Sequence, residues 1–249
     1  MKLAVWNIGH FSGGNGLKTV VPEEKLEPAK AAFKGYVDEI GADIFGICEH
    51  SYMFCNSDTL YKLGPVCAQN TLFDEYPFYY EGAQQNYSAN AIFSKVPFEV
   101  RKKLFACNAG AVISHTDLIR ASDYYYLKAC IEIDGAPVAL VVTHLAFDNN
   151  LDPDTLNEAQ ITELIKVLKD EERVIIAGDF NCKHLESFDL FKNAGYTLAN
   201  DGALVTFPTG QNNRALDNII VKGLGIENAK VYETTLSDHY AISADMSLL

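Results

Sequence analysis

The stretch RVIIAGDFN at residues 173–181 carries the strongest signal for the fold. Four of its first five residues are apolar, which is typical of a short strand that is buried on both faces. A helix is predicted before it, opening at Asp152-Pro153, because apolar residues recur there on one face. These residues are Leu156, Ile161, Leu164, Ile165 and Leu168. A buried strand next to an amphipathic helix indicates a sheet that is covered by a helical layer.

A second strand–helix–strand unit is predicted at the start of the chain. Lys2 to Ile8 forms its first strand, a helix follows at about Pro28 to Ile40, and Asp43 to Cys48 is a second buried strand. Proline suits the first turn of a helix and glycine its end, so Pro28 and Gly41 set the predicted limits of this helix.

Antiparallel pairing is predicted for the remaining strands. Asp134-Gly135 is a hairpin signal between the strands Tyr124 to Ile133 and Pro137 to Leu145. Residues 50–88 give no clear pattern, because Pro65 and Pro77 break any long element. Other strands are predicted at Ala89 to Ser94, Val100 to Phe105, Leu216 to Val221, Ala229 to Thr234 and Tyr240 to Met246.

These elements predict an α/β (α+β) fold, a four-layer α/β/β/α sandwich of two mixed, largely antiparallel sheets flanked by helices. Such a sandwich buries both helix stripes and the continuous apolar strands. A doubly wound parallel sheet is disfavoured, because the Asp134-Gly135 hairpin and the closing strands need antiparallel neighbours. No repeat or long linker divides the chain, so one domain over residues 1–249 is expected.

The composition places the chain among globular proteins. Hydrophobic residues make up 48% and charged residues 21% of its 249 positions, which excludes disorder, collagen and coiled coils. No apolar run approaches the ~20 residues that span a bilayer, so no stable membrane insertion is expected. The N-terminal MKLAVWNIGHFSGG lacks the apolar core of a signal peptide, and a cytoplasmic location is expected.

The chain is acidic, with 20 basic residues against 33 acidic residues and a formal net charge of −13. Unspecific binding to a nucleic-acid backbone needs lysine and arginine, which are in deficit here. The run Arg101-Lys102-Lys103 is the clustered basic candidate, and we interpret it as a solvated strand end. An acidic excess also suits a site that gathers carboxylates around a cation.

The cysteines show no CxxC pair and no metal-finger spacing. We interpret them as reduced, mostly buried small hydrophobic residues, and zinc is not expected. They are Cys48, Cys55, Cys67, Cys107, Cys130 and Cys182.

Polar residues able to do chemistry cluster where predicted strands end and loops begin, the usual place for functional groups on a scaffold. Each one alone has a structural explanation, such as a turn, a cap or a hydrogen-bonded histidine. Together they supply carboxylate and amide oxygens, the hard ligands that Mg²⁺ or Mn²⁺ requires. Several carboxylates in one place repel each other unless a cation or a proton neutralises them. The residues are Asn7, Glu49, His144, Asp179, Asn181, Asp217, Asp238 and His239.

Seven short motifs along the chain match one known family, in the order in which that family carries them. They are WNI at 6–8, the glutamate of ICEH at 49, NAIFS at 90–94, THL at 143–145, GDFN at 178–181, LDNIIV at 216–221 and SDH at 237–239. GDFN with a terminal SDH is the most specific pair. On these motifs the sequence resembles the endonuclease/exonuclease/phosphatase superfamily of Mg²⁺-dependent phosphoesterases. That superfamily includes apurinic endonucleases, pancreatic-type deoxyribonucleases, sphingomyelinases and inositol-polyphosphate phosphatases.

The resemblance implies a hydrolase that cleaves a phosphodiester or phosphomonoester by in-line attack of water, with Mg²⁺ or Mn²⁺ as cofactor. Glu49 would be the principal metal ligand, with Asn7 and Asp238 close to the ion or its waters. Asp179 would orient or deprotonate the attacking water, and activation of that water by the cation alone is the open alternative. Asn181 would hold a phosphate oxygen, where another carboxylate would repel the substrate.

The resemblance also implies that two histidines contact the phosphate. His239, held in one tautomer by Asp217, would donate to the phosphate as negative charge develops. His144 would be the second histidine, and Asn90 would support a phosphate or histidine contact. These roles suit phosphoester hydrolysis, which needs a placed water molecule and neutralised equatorial oxygens.

The substrate stays open among a phosphorylated small molecule, a lipid headgroup and a nucleic acid. The acidic total favours the first two over long duplex DNA, and a nuclease acting on DNA or RNA is the nearest alternative. The aromatic residues of 50–88 would stack a base or sugar or, as we favour, pack the core. A non-catalytic binding module on the same fold is the alternative of another class. No obligate protein partner is evident.

Overall fold

The computed structural model describes residues 1–9, 23–50, 75–82, 89–108, 124–146, 155–208 and 213–249. Its strands are β1 (Lys2–Asn7), β2 (Ile44–His50), β3 (Phe78–Gly82), β4 (Ala89–Ser94), β5 (Glu99–Leu104), β6 (Tyr125–Ile133), β7 (Ala136–His144), β8 (Val174–Asp179), β9 (Thr197–Leu198), β10 (Asp217–Lys222), β11 (Leu224–Tyr232) and β12 (Ala241–Leu248). Its helices are α1 (Glu23–Ile40), α2 (Thr155–Val167) and α3 (Asp189–Asn193), with short 3-10 helices at Ala106–Asn108 and Leu185–Phe188.

The strands form two six-stranded sheets. The first sheet has the order β11-β12-β1-β2-β4-β3, and the second sheet has the order β5-β6-β7-β8-β10-β9. β1 and β2 are parallel, as are β7 and β8, and the other described neighbours are antiparallel. The prediction of two mixed, largely antiparallel sheets is confirmed.

Three large apolar clusters of described residues hold the layers together. One lies between the two sheets and includes Val5 and Leu140. A second packs α1 onto the outer face of the first sheet, with Phe33 among its buried residues. A third packs α2 onto the outer face of the second sheet through Ile161 and Leu164. The four-layer α/β/β/α sandwich is therefore confirmed, because each helix stripe and each sheet face buries the apolar side of its neighbour.

The topology brings several strand ends to one edge of the sandwich. A parallel pair joined by a helix, such as β1–α1–β2 or β7–α2–β8, has both carboxyl ends at the same edge. β10 runs antiparallel to β8 with Asp217 paired to Asp179, so β10 begins where β8 ends. In the first sheet, β12 likewise begins near the end of β1, where Ile242 pairs with Val5. The polar residues at these strand ends are therefore neighbours in space.

The predicted Asp134-Gly135 hairpin is confirmed. Ile133 pairs with Ala136, and the two turn residues have φ values of 50° and 79°. A type I′ turn needs positive φ at both of its central residues, and Asp-Gly is one of the sequences that tolerates this. The turn therefore sets the register between β6 and β7.

Helix α1 begins earlier than predicted. It starts at Glu23, so Pro28 lies inside the helix rather than in its first turn. Proline fixes φ near the helical value and removes one hydrogen bond, which the longer helix tolerates here. The predicted opening of the second helix at Asp152-Pro153 lies outside the described residues. Within them, α2 begins at Thr155. No helix in the described parts of the chain is both long enough and apolar enough to cross a membrane.

Residues 50–88 contain a strand that the sequence pattern did not predict. β3 pairs with β4 as the edge strand of the first sheet, and Pro77 directly precedes it. Proline cannot donate to a ladder but is tolerated at the start of an edge strand. Of the nearby aromatic residues, Tyr76 is buried, whereas Phe78 and Tyr79 are 39% and 40% exposed. Others in this stretch (Tyr52, Phe54, Tyr61 and Phe73) lie outside the described residues.

The basic run lies within β5, the edge strand of the second sheet, rather than at a strand end. Arg101 and Lys103 are exposed. Lys102 is half-buried, and its Nζ lies 4.1 Å from the centre of the Tyr125 ring. Basic side chains on an edge strand oppose pairing with other chains, which gives this run a structural role.

The expected burial of the cysteines is confirmed only in part. Cys48 and Cys182 are buried, Cys107 is half-buried and Cys130 is exposed. The other two cysteines of the sequence lie outside the described residues.

Gly178 marks a close approach of β8 to β7, and a side chain added there is expected to be costly. A Cβ on Gly178 would lie 1.8 Å from the carbonyl oxygen of Thr143, which is backbone and cannot turn aside. Overpacking commonly costs 1–3 kcal/mol, so we expect Gly178→Ala to lower the free energy of unfolding by about 3 kcal/mol. The melting temperature should then fall by about 6–12 °C.

Gly35→Ala is the matched control for this measurement. Nothing lies within 4 Å of a Cβ at Gly35, which is in α1. Alanine favours a helix over glycine by ~1 kcal/mol, so this variant should melt at or above the wild-type temperature. Thermal unfolding followed by circular dichroism checks both variants. A Gly178→Ala protein that melts with the wild type would contradict the close approach of β7 and β8.

Candidate active site

The carboxylate of Asp179 is the centre of the polar cluster at this edge of the sandwich. It lies at the end of β8 and is almost fully buried. Its Oδ2 lies 2.9 Å from Asn7 Nδ2, 3.6 Å from His144 Nε2 and 3.7 Å from His239 Nε2. Its Oδ1 accepts a hydrogen bond of 2.9 Å from the backbone N–H of Asn181. Side chains from both sheets therefore meet around one carboxylate.

Glu49 joins this cluster from a bulge in β2. The register with β4 shifts between Ile47 and His50, and Glu49 has a φ of 56°. A bulge re-aims a side chain, and a positive φ is costly for a residue with a Cβ. Glu49 Oε1 accepts a 3.2 Å hydrogen bond from Asn7 Nδ2 and lies 4.0 Å from His144 Nε2. With its side chain 28% exposed, Glu49 connects the buried cluster to the surface.

His239 and Asp217 form a buried ion pair beside Asp179. His239 Nδ1 lies 2.8 Å from Asp217 Oδ2. Burial raises the pKa of Asp217 to about 6, and His239 opposes this effect while Asp179 adds to it. Burial lowers the pKa of His239, but Asp217, Asp179 and Asp238 together outweigh burial and raise this pKa to about 10. The carboxylates around His239 therefore favour the protonated form of its imidazole.

The orientation of His239 is fixed by its neighbours. Its backbone N–H donates to Ser237 Oγ at 3.1 Å, and Ser237 Oγ donates to the carbonyl oxygen of Asn7 at 2.8 Å. Trp6 Nε1 donates to the carbonyl oxygen of His239 at 3.0 Å. The Phe207 ring packs on the imidazole, with ring centres 4.6 Å apart. The loop before β12 is thereby tied to the end of β1.

His144 and Asn181 face each other next to Asp179. Asn181 Nδ2 lies 2.9 Å from His144 Nε2 and donates to the carbonyl oxygen of Leu145 at 3.1 Å. Asn181 has a φ of 50°, a conformation that asparagine adopts more readily than most residues. The His144 ring meets Tyr124 edge-on, with ring centres 6.3 Å apart. An amide and an imidazole are thus placed side by side at the end of the second sheet.

Two of the predicted site residues have their hydrogen-bond contacts with residues outside the predicted set. Asp238 is half-buried, and its Oδ1 lies 3.3 Å from Ser237 Oγ. Asn90 is buried, and its Nδ2 donates to the carbonyl oxygen of Tyr125 at 3.3 Å. The role of Asp238 at a metal ion and that of Asn90 at a phosphate or a histidine stay predictions.

Sequence reasoning did not single out three residues that contact this cluster. Phe207 and Tyr124 each pack on one of the histidines, and Ser237 links the last loop to β1. Ser237 is part of the SDH motif, so its position was visible in the sequence. No local pattern marks Phe207 or Tyr124, because their contacts depend on how distant strands pack.

The oxygen atoms at this edge suit a hard divalent cation. The carboxylates of Glu49 and Asp179 both contact the amide of Asn7, and hard cations prefer carboxylate oxygens. Asn7 turns its Nδ2 toward both carboxylates, because its Oδ1 accepts a 2.9 Å hydrogen bond from the Gly9 N–H. The Asn7 amide therefore separates the two carboxylates in this structure and does not point its oxygen between them.

Asp179 also belongs to a second group, which contains two aspartates and a histidine. Within the described ranges, Asp179, Asp217 and His239 place their ligand atoms within 4.8 Å of one another. This set differs from the predicted metal ligands, of which Glu49 is the principal one. A histidine binds a metal ion through a deprotonated ring nitrogen, so a cation at this group would compete with the proton that the neighbouring carboxylates favour. The role of Glu49 as the principal metal ligand stays a prediction.

Two mixed sheets packed between helices, with carboxylates and histidines converging at one edge, define a phosphoesterase-type or nuclease-type sandwich. The Endonuclease/Exonuclease/phosphatase family model matches residues 4–239 of the chain. The chain therefore belongs to this family, whose members are phosphoesterases.

Solved structures share the fold over the whole chain. An endonuclease/exonuclease/phosphatase from Beutenbergia cavernae DSM 12333 is 13% identical with a TM-score of 0.73, over 100% of this chain and 71% of that chain. A family protein from Leptotrichia buccalis C-1013-b is 14% identical with a TM-score of 0.72, over 100% of both chains. D. rerio TDP2 complexed with single strand DNA product is 16% identical with a TM-score of 0.70, over 99% of this chain and 98% of that chain. No curated protein matches this sequence.

Proposed function

We propose that this chain is a divalent-cation-dependent hydrolase that cleaves a phosphoester by in-line attack of water. The observation that supports it most directly is the meeting of Asn7, His144 and His239 around the Asp179 carboxylate. Hydrolysis at phosphorus needs an acceptor for the proton of water and donors for the developing charge on oxygen. A carboxylate flanked by two imidazoles and an amide supplies both.

The cation would be Mg²⁺ or Mn²⁺, held by Glu49 with Asn7 and Asp238 near it. When bound, it supplies positive charge that neutralises phosphate oxygens and polarises the phosphorus centre. Glu49 suits this role because its side chain is 28% exposed, whereas Asp179 and Asp217 are buried, and because it stands on a bulge in β2. For Asn7 to serve as a ligand, its amide would have to release the Gly9 N–H and turn its oxygen outward.

Asp179 would orient the attacking water and accept its proton, and activation by the cation alone stays the alternative. Its burial and its bond from the Asn181 N–H fix the carboxylate in one orientation. The Asn181 side-chain amide would move from His144 to a phosphate oxygen when substrate binds. A neutral amide serves here because a further carboxylate would repel the phosphate.

His239 would stabilise the transition state as an imidazolium. Asp217 holds its Nδ1–H, so its Nε2–H is the group directed toward the region of Asp179 and the substrate. A donor preorganised in this way commonly contributes ~10²–10³ in rate. His144 would act as the second imidazole on the phosphate, with Asn90 supporting that side.

The chemistry of the site does not by itself select one class of phosphoester as the substrate. The net charge of −13 favours a phosphorylated small molecule or a lipid headgroup. A nuclease is the second candidate, because D. rerio TDP2 shares the fold and was solved with a single strand DNA product. The cytoplasmic location, the absence of an obligate protein partner and the single domain over residues 1–249 stay predictions from the sequence.

Two synthetic esters test the proposal. Protein freed of metal with EDTA is assayed with bis-p-nitrophenyl phosphate and p-nitrophenyl phosphate, with and without added Mg²⁺ or Mn²⁺. We expect turnover only when the cation is present, and Asp179→Asn protein purified in the same way controls for contaminating phosphatases. Preference for the diester supports a phosphodiesterase or nuclease, and preference for the monoester supports a phosphatase. Absence of cation-dependent turnover of both esters would favour a non-catalytic binding module.

A further inference from the structure

Phe207 and Arg214 form an isolated antiparallel pair beside the His239–Asp217 ion pair. The Phe207 N–H donates to the Arg214 carbonyl oxygen at 2.9 Å, and the Arg214 N–H donates to the Phe207 carbonyl oxygen at 3.0 Å. Residues that exchange both backbone hydrogen bonds carry their side chains on the same face, with Cβ atoms ~5 Å apart. Because the Phe207 ring packs on His239, the Arg214 side chain leaves the backbone on the face that meets His239.

Thr206, the residue before Phe207, is hydrogen-bonded to the backbone next to both members of the His239–Asp217 ion pair. Thr206 Oγ1 accepts a 3.0 Å hydrogen bond from the Asp217 N–H. The Thr206 carbonyl oxygen accepts a 2.7 Å bond from the Tyr240 N–H, one residue after His239. Arg214 therefore has a fixed backbone position relative to the residues that would hold the scissile phosphate.

Among the described residues, Arg214 has no ion-pair partner. Its side chain is half-buried, and no described residue forms an ion pair with its guanidinium or accepts a hydrogen bond from it. The backbone of Arg214 is hydrogen-bonded to Phe207, whose ring packs on His239, and the chain has a net charge of −13. A guanidinium matches phosphate and carboxylate oxygens two at a time, and the half-exposed Phe207 ring offers a flat apolar surface beside it.

We propose that Phe207 and Arg214 form a subsite for a second anionic group of the substrate, next to the phosphate that is cleaved. Substrates or products with two phosphates would then bind better than analogues with one, and Phe207 would contact the group that links them. This inference rests on the proposed function for the position of the first phosphate.

Calorimetric binding in the presence of Mg²⁺ tests the subsite without relying on turnover. The ligands are two pairs, myo-inositol 1-phosphate with the 1,4-bisphosphate, and thymidine 5′-phosphate with the 3′,5′-bisphosphate. We expect the wild type to bind the bisphosphate of at least one pair roughly tenfold to hundredfold more tightly than its monophosphate. A preference in the inositol pair indicates a polyol phosphate, and a preference in the thymidine pair indicates a nucleotide.

Arg214→Gln should remove most of this preference while leaving the affinity for the monophosphate unchanged. Arg101→Gln removes an exposed basic residue of β5 and controls for the change in net charge. Phe207→Leu should weaken both members of the preferred pair and keep their ratio. The proposal is overturned if the wild type shows no preference, if Arg214→Gln weakens both phosphates equally, or if Arg101→Gln has the same effect.

Failure of this inference and failure of the proposed function are distinguishable. Cation-dependent hydrolysis of bis-p-nitrophenyl phosphate without any bisphosphate preference refutes the subsite alone. A bisphosphate preference that depends on Arg214, without hydrolysis of either synthetic ester, supports the subsite as part of a binding module and refutes the hydrolase.

Discussion

Replacing Asp179 by asparagine is expected to lower kcat for a phosphoester substrate by roughly 10²–10⁴-fold. Asparagine has the same shape but cannot accept a proton and carries no charge. The carboxylate Oδ2 lies within 4 Å of Asn7, His144 and His239, so this one substitution changes every contact at the centre of the cluster. Steady-state kinetics at saturating Mg²⁺ measures the effect.

The fold is expected to survive this substitution. Loss of the charge relieves repulsion between Asp179 and Asp217, whereas the new amide would place a second donor against Asn7 Nδ2. These effects oppose each other, so we expect thermal unfolding to shift by only a few degrees. Asp170→Asn is the matched control, because its side chain is 91% exposed and lies in the turn between α2 and β8. If Asp179→Asn keeps more than a tenth of the wild-type kcat, Asp179 is not the base.

The strand ends are the part of this site that local sequence patterns predict well. An apolar run such as VIIA in residues 174–177 forces a buried strand, and its end must lie where Asp179 meets a loop. The same holds for His144 at the end of β7 and Asn7 at the end of β1. Parallel neighbours joined by a helix then align these ends, so periodicity together with chain order already implies one shared edge.

Features that depend on distant contacts were not predictable in this way. The bulge at Glu49 is a shift in the register between β2 and β4, while β2 pairs regularly with β1 on its other side. Such a shift depends on both neighbouring strands and not on the sequence of β2 alone. The pairing of His239 with Asp217 was implied by family resemblance, and no local pattern links two residues on different strands. Phe207 reaches His239 only because a short β-bridge to Arg214 folds that segment over the ion pair.

Removing the His239 imidazole is expected to impair both turnover and stability. In His239→Ala the Asp217 carboxylate stays fully buried and loses the partner that lies 2.8 Å away. Breaking a buried pair by removing one member typically costs 3–5 kcal/mol, so we expect a loss of about 3 kcal/mol in the free energy of unfolding. Loss of the preorganised donor should lower kcat by roughly 10²–10³-fold.

Adding Asp217→Asn to His239→Ala separates the effect on stability from the effect on turnover. In the double variant His239→Ala/Asp217→Asn the buried Asp217 charge is removed together with its partner, so most of the stability should return while the activity stays low. Urea unfolding of the wild type, both single variants and the double variant gives the coupling energy between the two side chains. A His239→Ala protein as stable as the wild type would show that the imidazole is not needed to neutralise the buried charge of Asp217.

The pH dependence of unfolding provides an independent test of the same pair. The pKa of His239 is raised from its ordinary value of 6.5 to about 10 in the folded protein. A raised pKa means that the folded state holds the proton more tightly, so this stabilisation is fully present below pH 6.5 and is lost as the pH rises toward 10. The stability of the wild type relative to the double variant should therefore decline across that window. A difference that stays constant from pH 6.5 to 10 would mean that His239 is neutral when folded, and the imidazolium would then be excluded as the donor to the phosphate.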